Sequence, residues 1–415
     1  MKSFNVSWKT GMILLFLLLI SSACEYDGPN SPWEQAKQAE SVIPVITQVI
    51  PEDASGASVI TINGKNFSAN PEEVWVYVEK EQCKVIECSE TSISIYRPKT
   101  VGDALTISVV IKNAATIAKY SPYKLAAVVN TFGYFADTDI IVTIAMDANE
   151  NMYVTMNDGS IRKLDPTSQQ PDEAYLADMS PLATDMKIGP DGGLYFVRKK
   201  ATVYRIPPEG GSAENYAKFD KVKNKEAKAA FFDFDQNKNI FAGGTSTGLL
   251  LLRADLTQAN WGIYNEYDIT AVRVFNEHVY VAAEYLGSEA NIPAKAIWKN
   301  EIISTSGEVN PVSELVLDLA KLSDSLDVVI NAITFSADGD MYVGTNLASP
   351  IIRVKASSET EPLYFGLLSG RVDQFVWGAG EYLYTLTNSK QTKAEGGLIY
   401  KIYMAKTGAP DYGRP

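Results

Sequence analysis

Residues 144–153 read IAMDANENMY, an apolar strand followed by a polar turn and by an aromatic residue in the next strand. The same unit recurs five times: 186–195 (MKIGPDGGLY), 232–241 (FDFDQNKNIF), 272–280 (VRVFNEHVY), 333–342 (ITFSADGDMY) and 375–384 (FVWGAGEYLY). The aromatic residues are 42, 46, 39, 62 and 42 positions apart. A repeat of this length is typical of a four-stranded propeller blade or a solenoid unit. We expect an all-β six-bladed β-propeller, because a ring leaves only short, protected strand edges.

The first repeat carries the most specific motifs. Residues 129–133 (VNTFG), 147–154 (DANENMYV) and 161–165 (IRKLD) closely resemble an NHL repeat. The resemblance implies an NHL-type propeller over residues 124–405, followed by a C-terminal tail at 406–415. We expect residues 124–135 to form the outer strand of the last blade beside residues 398–404, because this pairing removes an open sheet edge.

A smaller domain precedes the ring. Apolar residues alternate with a period of two in four stretches: 59–62, 74–78, 92–95 and 105–111. Turn residues separate the stretches at intervals that fit a seven-strand immunoglobulin-like sandwich over residues 41–123. The stretches 46–51 (ITQVIP) and 60–67 (ITINGKNF), with a strand that ends at Pro98, resemble an IPT/TIG domain. The Gly-x-Asn-Phe turn is that family's best marker.

This domain holds Cys83 and Cys88 in one strand-like stretch. In an extended strand these residues would lie ~16 Å apart on opposite faces. A disulfide requires Cα atoms within ~7 Å. We therefore expect unpaired thiols unless a turn breaks the stretch, although an exported protein favours disulfides.

The first residues have the pattern of a targeting signal. Lys2 and Lys9 precede an apolar run over 12–20, which is too short for a stable membrane span. Small residues and Cys24 follow. The segment resembles a bacterial lipoprotein signal, which implies removal of residues 1–23, lipidation of Cys24 and a flexible tether at 24–40. The acidic residues after Cys24 resemble the signal that sends lipoproteins of Bacteroides-like bacteria to the outer surface of the outer membrane. The alternative is an ordinary secretory signal.

Composition excludes several classes of function. The formal net charge is −13, and such a surface repels phosphate backbones, so nucleic acid is a poor partner. Only three cysteines and one histidine are present, in no pattern that would hold zinc. Asp235 and Asn239 lie in a stretch that superficially fits a calcium loop, but Lys238 occupies the position of the essential glycine. We interpret the repeated Asp/Asn stretches as hairpin turns. We place the lone His278 in an exposed turn at the edge of the ring, away from the axis. We therefore predict no catalytic residue, no metal site and no cofactor.

Aromatic side chains are the better candidates for a binding site, because sugar rings stack on aromatic faces. Trp377 aligns with inward-facing positions and is predicted to belong to the core. Trp261, Tyr264 and Tyr267 occupy the link between the third and fourth blades, and Tyr285 opens a long insertion. Long loops at one end of a propeller are where recognition surfaces occur. We predict a ligand site at these four residues, with packing inside the rim as the alternative.

The tandem architecture resembles surface lipoproteins of Bacteroides-type bacteria that are associated with polysaccharide uptake. The resemblance implies a non-catalytic protein of the outer membrane that binds a polysaccharide or similar ligand beside an outer-membrane import complex. One alternative is an interaction scaffold for another envelope protein, which co-purification would reveal. Another is a propeller lyase or lactonase, which metal-dependent release of unsaturated or ring-opened products would reveal.

Overall fold

The fold is taken from a computed structural model that describes residues 42–176, 182–323, 325 and 327–414. The predicted signal peptide, Cys24 and the tether lie outside these residues. The described chain consists of strands, turns and three 3₁₀ helices of three residues each: Pro71–Glu73, Leu319–Lys321 and Lys393–Glu395. No helix in this part of the chain is long and apolar enough to cross a bilayer.

The N-terminal domain is a sandwich of two antiparallel sheets, with strand orders β1-β2-β6-β5 and β4-β3-β7-β8. Its strands are β1 (Val45–Ile50), β2 (Val59–Lys65), β3 (Val74–Val78), β4 (Glu81–Cys83), β5 (Val85–Cys88), β6 (Ser92–Tyr96), β7 (Gly102–Ile111) and β8 (Ala118–Leu125). Successive side chains point to opposite faces of a strand. In β3 the valines at 74, 76 and 78 therefore form part of the core, while Trp75 and Tyr77 are half-buried on the other face.

The sandwich has eight strands where the sequence predicted seven. The difference arises at Lys84, where the predicted single stretch from Cys83 to Cys88 is broken. Before the break, β4 pairs with β3; after it, β5 pairs with β6 in the opposite sheet. Both cysteines are free thiols. Burial, with a smaller contribution from Glu81, raises the pKa of Cys83 to about 12, so this thiol stays protonated.

Beyond the sandwich, the chain forms six four-stranded antiparallel sheets, as the repeats predicted. The innermost strand of each sheet contacts that of the next, and the sixth contacts the first, so the sheets close into a ring. The blades are, in order, β10 (Ile141–Met146), β11 (Met152–Met156), β12 (Ile161–Leu164) and β13 (Pro171–Leu176); β14 (Asp185–Ile188), β15 (Leu194–Val197), β16 (Thr202–Ile206) and β17 (Glu214–Lys218); β18 (Phe231–Phe234), β19 (Ile240–Gly243), β20 (Leu250–Leu252) and β21 (Gln258–Asn260); β22 (Tyr267–Phe275), β23 (His278–Tyr285), β24 (Lys295–Glu301) and β25 (Glu314–Asp318); β26 (Ile330–Phe335), β27 (Met341–Thr345), β28 (Ile351–Val354) and β29 (Thr360–Pro362); β30 (Val372–Trp377), β31 (Tyr382–Thr387), β32 (Leu398–Tyr403) and β9 (Val129–Phe132).

The sixth blade takes its outer strand from the start of the ring. Strand β9 pairs with β32, with Phe132 opposite Ile399 and Val129 opposite Ile402. The pairing is the predicted one, although the strand is shorter than the predicted span 124–135, because Lys124 and Leu125 belong to β8. The buried Phe132 packs edge-on against Tyr384, with ring centres 5.0 Å apart. This contact joins the two ends of the ring within one core.

The repeated aromatic residues fill the spaces between blades. Five of the six are buried and Tyr280 is half-buried. Trp377 is also buried, and its Nε1 donates a hydrogen bond of 3.1 Å to Thr334 Oγ1 of the fifth blade. Its predicted place in the core is confirmed. Aromatic packing of this kind contributes both apolar area and specific edge contacts between neighbouring blades.

The sandwich contacts the rim of the ring between blades five and six. Tyr96 stacks on Phe365, which lies in the link between these blades, with ring centres 4.5 Å apart. The Lys84 ammonium lies 4.6 Å from the centre of the Phe365 ring. The buried Arg97 donates hydrogen bonds to the carbonyl oxygens of Ala54 and Ala126. The contacts of Phe365 hold the sandwich against the ring, while Arg97 joins the sandwich to the link that leads into the ring.

Candidate binding cavity on the propeller axis

In each blade, one residue of the innermost strand is the register partner of the repeat aromatic in the second strand. Because the innermost strands surround the axis, these partners form a ring of side chains around it. All six line a cavity of about 910 Å³ on the axis. They are Ala145, Lys187, Asp233, Arg273, Thr334 and Val376.

One ion pair lies on the buried floor of this axial cavity, and a second lies beside it, with Lys187 lining the cavity and its partner Asp185 behind the lining. Arg273 Nη1 is 2.6 Å from Asp233 Oδ2, and Lys187 Nζ is 3.0 Å from Asp185 Oδ1. Burial alone would lower the pKa of Arg273, but the carboxylates of Asp233 and Asp411 outweigh it and raise that pKa. Burial raises the pKa of Asp185, and Lys187 opposes this only in part. Arg273 therefore remains a cation on the axis at every physiological pH.

Side-chain acceptors at and behind the cavity floor also join neighbouring blades, and Asp233 is the one of the three that lines the cavity. Asp185 Oδ2 accepts the backbone N–H of Phe232, at 3.1 Å, and Asp233 Oδ2 accepts that of Val274, at 2.7 Å. Gln374 Oε1 accepts the backbone N–H of Ile144 in the same way, at 2.8 Å. These acceptors satisfy strand edges that would otherwise be unpaired between blades. The carboxylate of Asp233 is thereby fixed in place at the surface of the cavity.

The hairpins that join the first and second strands of each blade surround the opening of the axial cavity. Gln236, Asn276 and Glu277 belong to these hairpins, are exposed and line the cavity; we call them the mouth. The cavity thus runs from the exposed polar mouth to the buried pair of Asp233 and Arg273. A polar entrance above a charged floor can orient a hydroxyl-rich or charged ligand.

The last described residues cross this opening. We call residues 405–414 the cap segment; it includes most of the C-terminal tail predicted at 406–415. Lys406 Nζ lies 2.5 Å from both Asp338 Oδ2 and Asp340 Oδ2. The backbone N–H of Ala409 donates to the carbonyl oxygen of Phe335, at 2.9 Å. The cap segment therefore packs on the fifth blade before it reaches the axis.

The polar turns are hairpins, as interpreted from the sequence. Asp235 Oδ1 accepts the backbone N–H groups of Asn237 and Asn239 at 2.9 and 2.8 Å, which closes the turn. In the described residues, no group of three or more His, Cys, Asp or Glu side chains is placed to hold a metal ion. His278 begins β23, and its Nδ1 is 2.8 Å from the carbonyl oxygen of Asn276. The prediction that this turn lies at the edge of the ring is wrong, because hairpins between the two inner strands border the axis.

The aromatic residues predicted to bind a ligand lie elsewhere, around the outer part of blade four. The rings of Tyr264 and Tyr285 are centred 5.3 and 5.0 Å from that of Tyr267, and Trp261 packs on the same core. Tyr264 is buried, and its hydroxyl donates to Asn300 Oδ1 at 2.7 Å, so its face is closed to solvent. The other three are half-buried. A smaller cavity of about 370 Å³ is lined by Tyr264 and Tyr267.

The sequence analysis did not identify the axial cavity. Its charged residues lie directly opposite the repeat aromatics, so the alignment of repeats already contained their positions. Lys187, Asp233 and Arg273 each lie between two apolar neighbours in their strands, and charged residues are rarely buried unless paired. Charged residues at these positions were the sequence signal from which the axial cavity could have been predicted.

A family model described as the IPT/TIG domain matches residues 44–125. A search of curated proteins finds no match to this chain. Among solved structures, a protein of unknown function from Bacteroides thetaiotaomicron VPI-5482 is 11% identical with a TM-score of 0.51, and the similarity covers 91% of this chain and 99% of that one. An auxiliary nutrient binding protein from the same strain is 10% identical with a TM-score of 0.48, covering 86% and 97%. A virginiamycin B lyase from Staphylococcus aureus is 14% identical with a TM-score of 0.45, covering 66% and 98%.

Likeness at such low identity concerns the fold alone, since one fold hosts many functions. Residues 44–125 are an IPT/TIG domain, and the chain shares its overall fold with a protein of Bacteroides thetaiotaomicron.

Proposed function

We propose that this protein is a non-catalytic surface lipoprotein that captures a polysaccharide or a similar ligand in the axial cavity of its propeller. The observation that carries the proposal is the cavity itself. Its volume of about 910 Å³ is at the upper end of the range of ligand sites, roughly 300–1,000 Å³. Its polar mouth and charged floor supply the convergent groups that fix the orientation of a hydroxyl-rich ligand.

The hydrogen bonds and ion pairs of the buried carboxylates favour a role in ligand binding over a role in catalysis. A general acid or base must reach the proton that it transfers. Asp233 is instead committed to Arg273 and to the N–H of Val274. Asp185 is committed to Lys187 and to the N–H of Phe232. Breaking either set of contacts would leave a buried charge without a partner, which is costly.

The proposal also includes a place for the protein. Lipidation of Cys24 would hold it to the outer membrane, with the sandwich and tether carrying the propeller on the cell surface beside an import complex. Metabolic labelling with an alkyne-bearing fatty acid tests the anchor: the wild-type protein should be labelled and Cys24→Ala should not. Labelling of both proteins, or of neither, would contradict lipidation at this residue.

A substitution at the mouth tests the binding site without disturbing the floor. Gln236 is exposed in the hairpin of blade three, and Gln236→Trp would place a large ring across the opening. Ala148 occupies the equivalent position in the hairpin of blade one, is also exposed, and does not line the cavity. Ala148→Trp is therefore the matched control.

The measurement is retardation of the purified protein on affinity gels that contain a panel of polysaccharides, followed by calorimetry on any that bind. We expect binding to be lost in Gln236→Trp and kept in Ala148→Trp. If no polysaccharide binds the wild-type protein, the proposed function is wrong. If a polysaccharide binds both variants equally, the axial cavity is not the site. Trp261→Ala and Tyr285→Ala then test the aromatic site predicted from the sequence.

A further inference from the structure

The cap segment has two parts that are held differently. Residues 405–410 are joined to blade five through backbone hydrogen bonds, and Ala409 is buried in its core. Residues 411–414, which we call the tip, form a tight turn in which Asp411 and Arg414 exchange two backbone hydrogen bonds of 3.0 and 2.9 Å. The Arg414 guanidinium donates to the carbonyl oxygens of Gly408 and Ala409. The tip is therefore largely satisfied by its own segment and does not need the ring to keep its shape.

The tip nevertheless lies over the axial cavity and forms part of its lining. Asp411 Oδ2 is 3.5 Å from Arg273 Nη2. Tyr412 packs edge-on against Phe234, with ring centres 5.6 Å apart, and its hydroxyl donates to the carbonyl oxygen of Asp235 at 3.0 Å. The side chains of Asp411 and Tyr412 thus attach the tip to the inner strands of blades three and four.

The contacts of Arg273 indicate which group of a ligand the tip stands in for. Its Nη1 is held by Asp233 at 2.6 Å, within the floor. Its Nη2 makes a longer contact, of 3.5 Å, with Asp411 Oδ2, a carboxylate brought in by the cap segment. If Asp411 left, a buried guanidinium would keep one unpaired edge facing the cavity, which is unfavourable unless another acceptor arrives. Carboxylates are the acceptors that best match the planar guanidinium.

We propose that the tip is a built-in occupant of the axial cavity, and that the ligand admitted in its place is an acidic glycan whose uronate carboxylate takes over the contact of Asp411 with Arg273. This inference rests on the proposed function, and it adds the class of glycan and the means by which the site is kept closed. A protein with a net charge of −13 repels an anionic polymer at long range, so recognition depends on the two cations that line the cavity, Arg273 and Lys187.

The test compares two hexasaccharides, hexagalacturonate and a neutral galactohexaose, by calorimetry on the full chain. Asp411→Asn removes the internal carboxylate but keeps the size of the side chain. Asp103→Asn is the control, because Asp103 is 89% exposed in the sandwich and its replacement changes the net charge equally. We expect Asp411→Asn to bind hexagalacturonate about tenfold more tightly than the wild type, within the range of 5–150-fold seen for coupled sites. Binding of galactohexaose and the behaviour of Asp103→Asn should be unchanged.

Amide exchange supplies a second readout. Hexagalacturonate should accelerate exchange in residues 411–414 of the wild-type protein, because ligand and tip compete for one place. If polysaccharides bind but Asp411→Asn gives no gain, or exchange at the tip slows, the inference is wrong and the proposed function stands. If neither hexasaccharide nor any polysaccharide of the panel binds the wild-type protein, the proposed function itself fails.

Discussion

Replacing Phe132 by alanine should open the ring at the place where its ends meet. Phe132 is 2% exposed, and its ring lies edge-on to that of Tyr384 in the core shared by blades six and one. Truncating a buried Phe to Ala costs about 3–5 kcal/mol, through lost burial and the cavity left behind. With a urea dependence of about 3 kcal/mol per M, this cost lowers the unfolding midpoint by roughly 1–1.7 M.

The assay is urea unfolding followed by far-UV circular dichroism, with amide exchange to locate the change. Exchange should accelerate in β10 and β31 as well as in β9, because one core spans them. Tyr134→Ala is a matched control, since Tyr134 lies two positions further along and is 64% exposed. The reasoning is refuted if Phe132→Ala unfolds at the wild-type urea concentration, or if only β9 exchanges faster.

Three further outcomes follow from individual contacts. Burial alone would raise the pKa of Asp340, but Lys406 and Arg353 lower it; its stabilisation is present above the ordinary pKa of about 3.9 and is lost as the pH falls through the lowered value. Cleavage of the cap segment by pepsin should therefore become faster as the pH falls below the lowered pKa of Asp340. In Lys406→Met, pepsin should cleave the cap segment at every pH at which the protease is active. The Tyr384 hydroxyl is buried without a partner among the described residues, so Tyr384→Phe should raise the thermal midpoint by about 2–4 °C in calorimetry. Arg97→Met leaves two carbonyl groups at the domain boundary without their donor, and small-angle scattering should show a larger radius of gyration.

The fold could be predicted because its signals are local and repeated. A strand, a turn and an aromatic residue at a fixed offset recur six times, and each copy reports on the same packing position. The ring closure was also accessible, because the first strand-like stretch had no partner other than the last. The break between β4 and β5 at Lys84 could not be predicted from the sequence. A single residue that carries the chain from one sheet to the other leaves the alternating pattern of the side chains in these strands nearly unchanged.

The candidate site was harder, because it depends on side chains that are distant in sequence. Arg273 and Asp233 are 2.6 Å apart in space but belong to different repeats, and Asp411 comes from a stretch without repeat character. Composition and loop length drew attention to exposed aromatics instead. The burial of Tyr264 shows why that argument is weak: an aromatic residue in a long link can as easily seal the gap between blades.

The use of β9 to complete the sixth blade has a consequence for how the chain acquires its shape. The sandwich is built from contacts within about a fifth of the sequence and can form as soon as that part of the chain is free to fold. The propeller ring cannot close at that stage, because its first strand in the sequence, β9, pairs with β32 near the other end of the chain. Folds dominated by such distant pairings form slowly and expose apolar edges in the interval. A folding intermediate in which the ring of blades has not yet closed is thus the state in which this protein is most prone to aggregation.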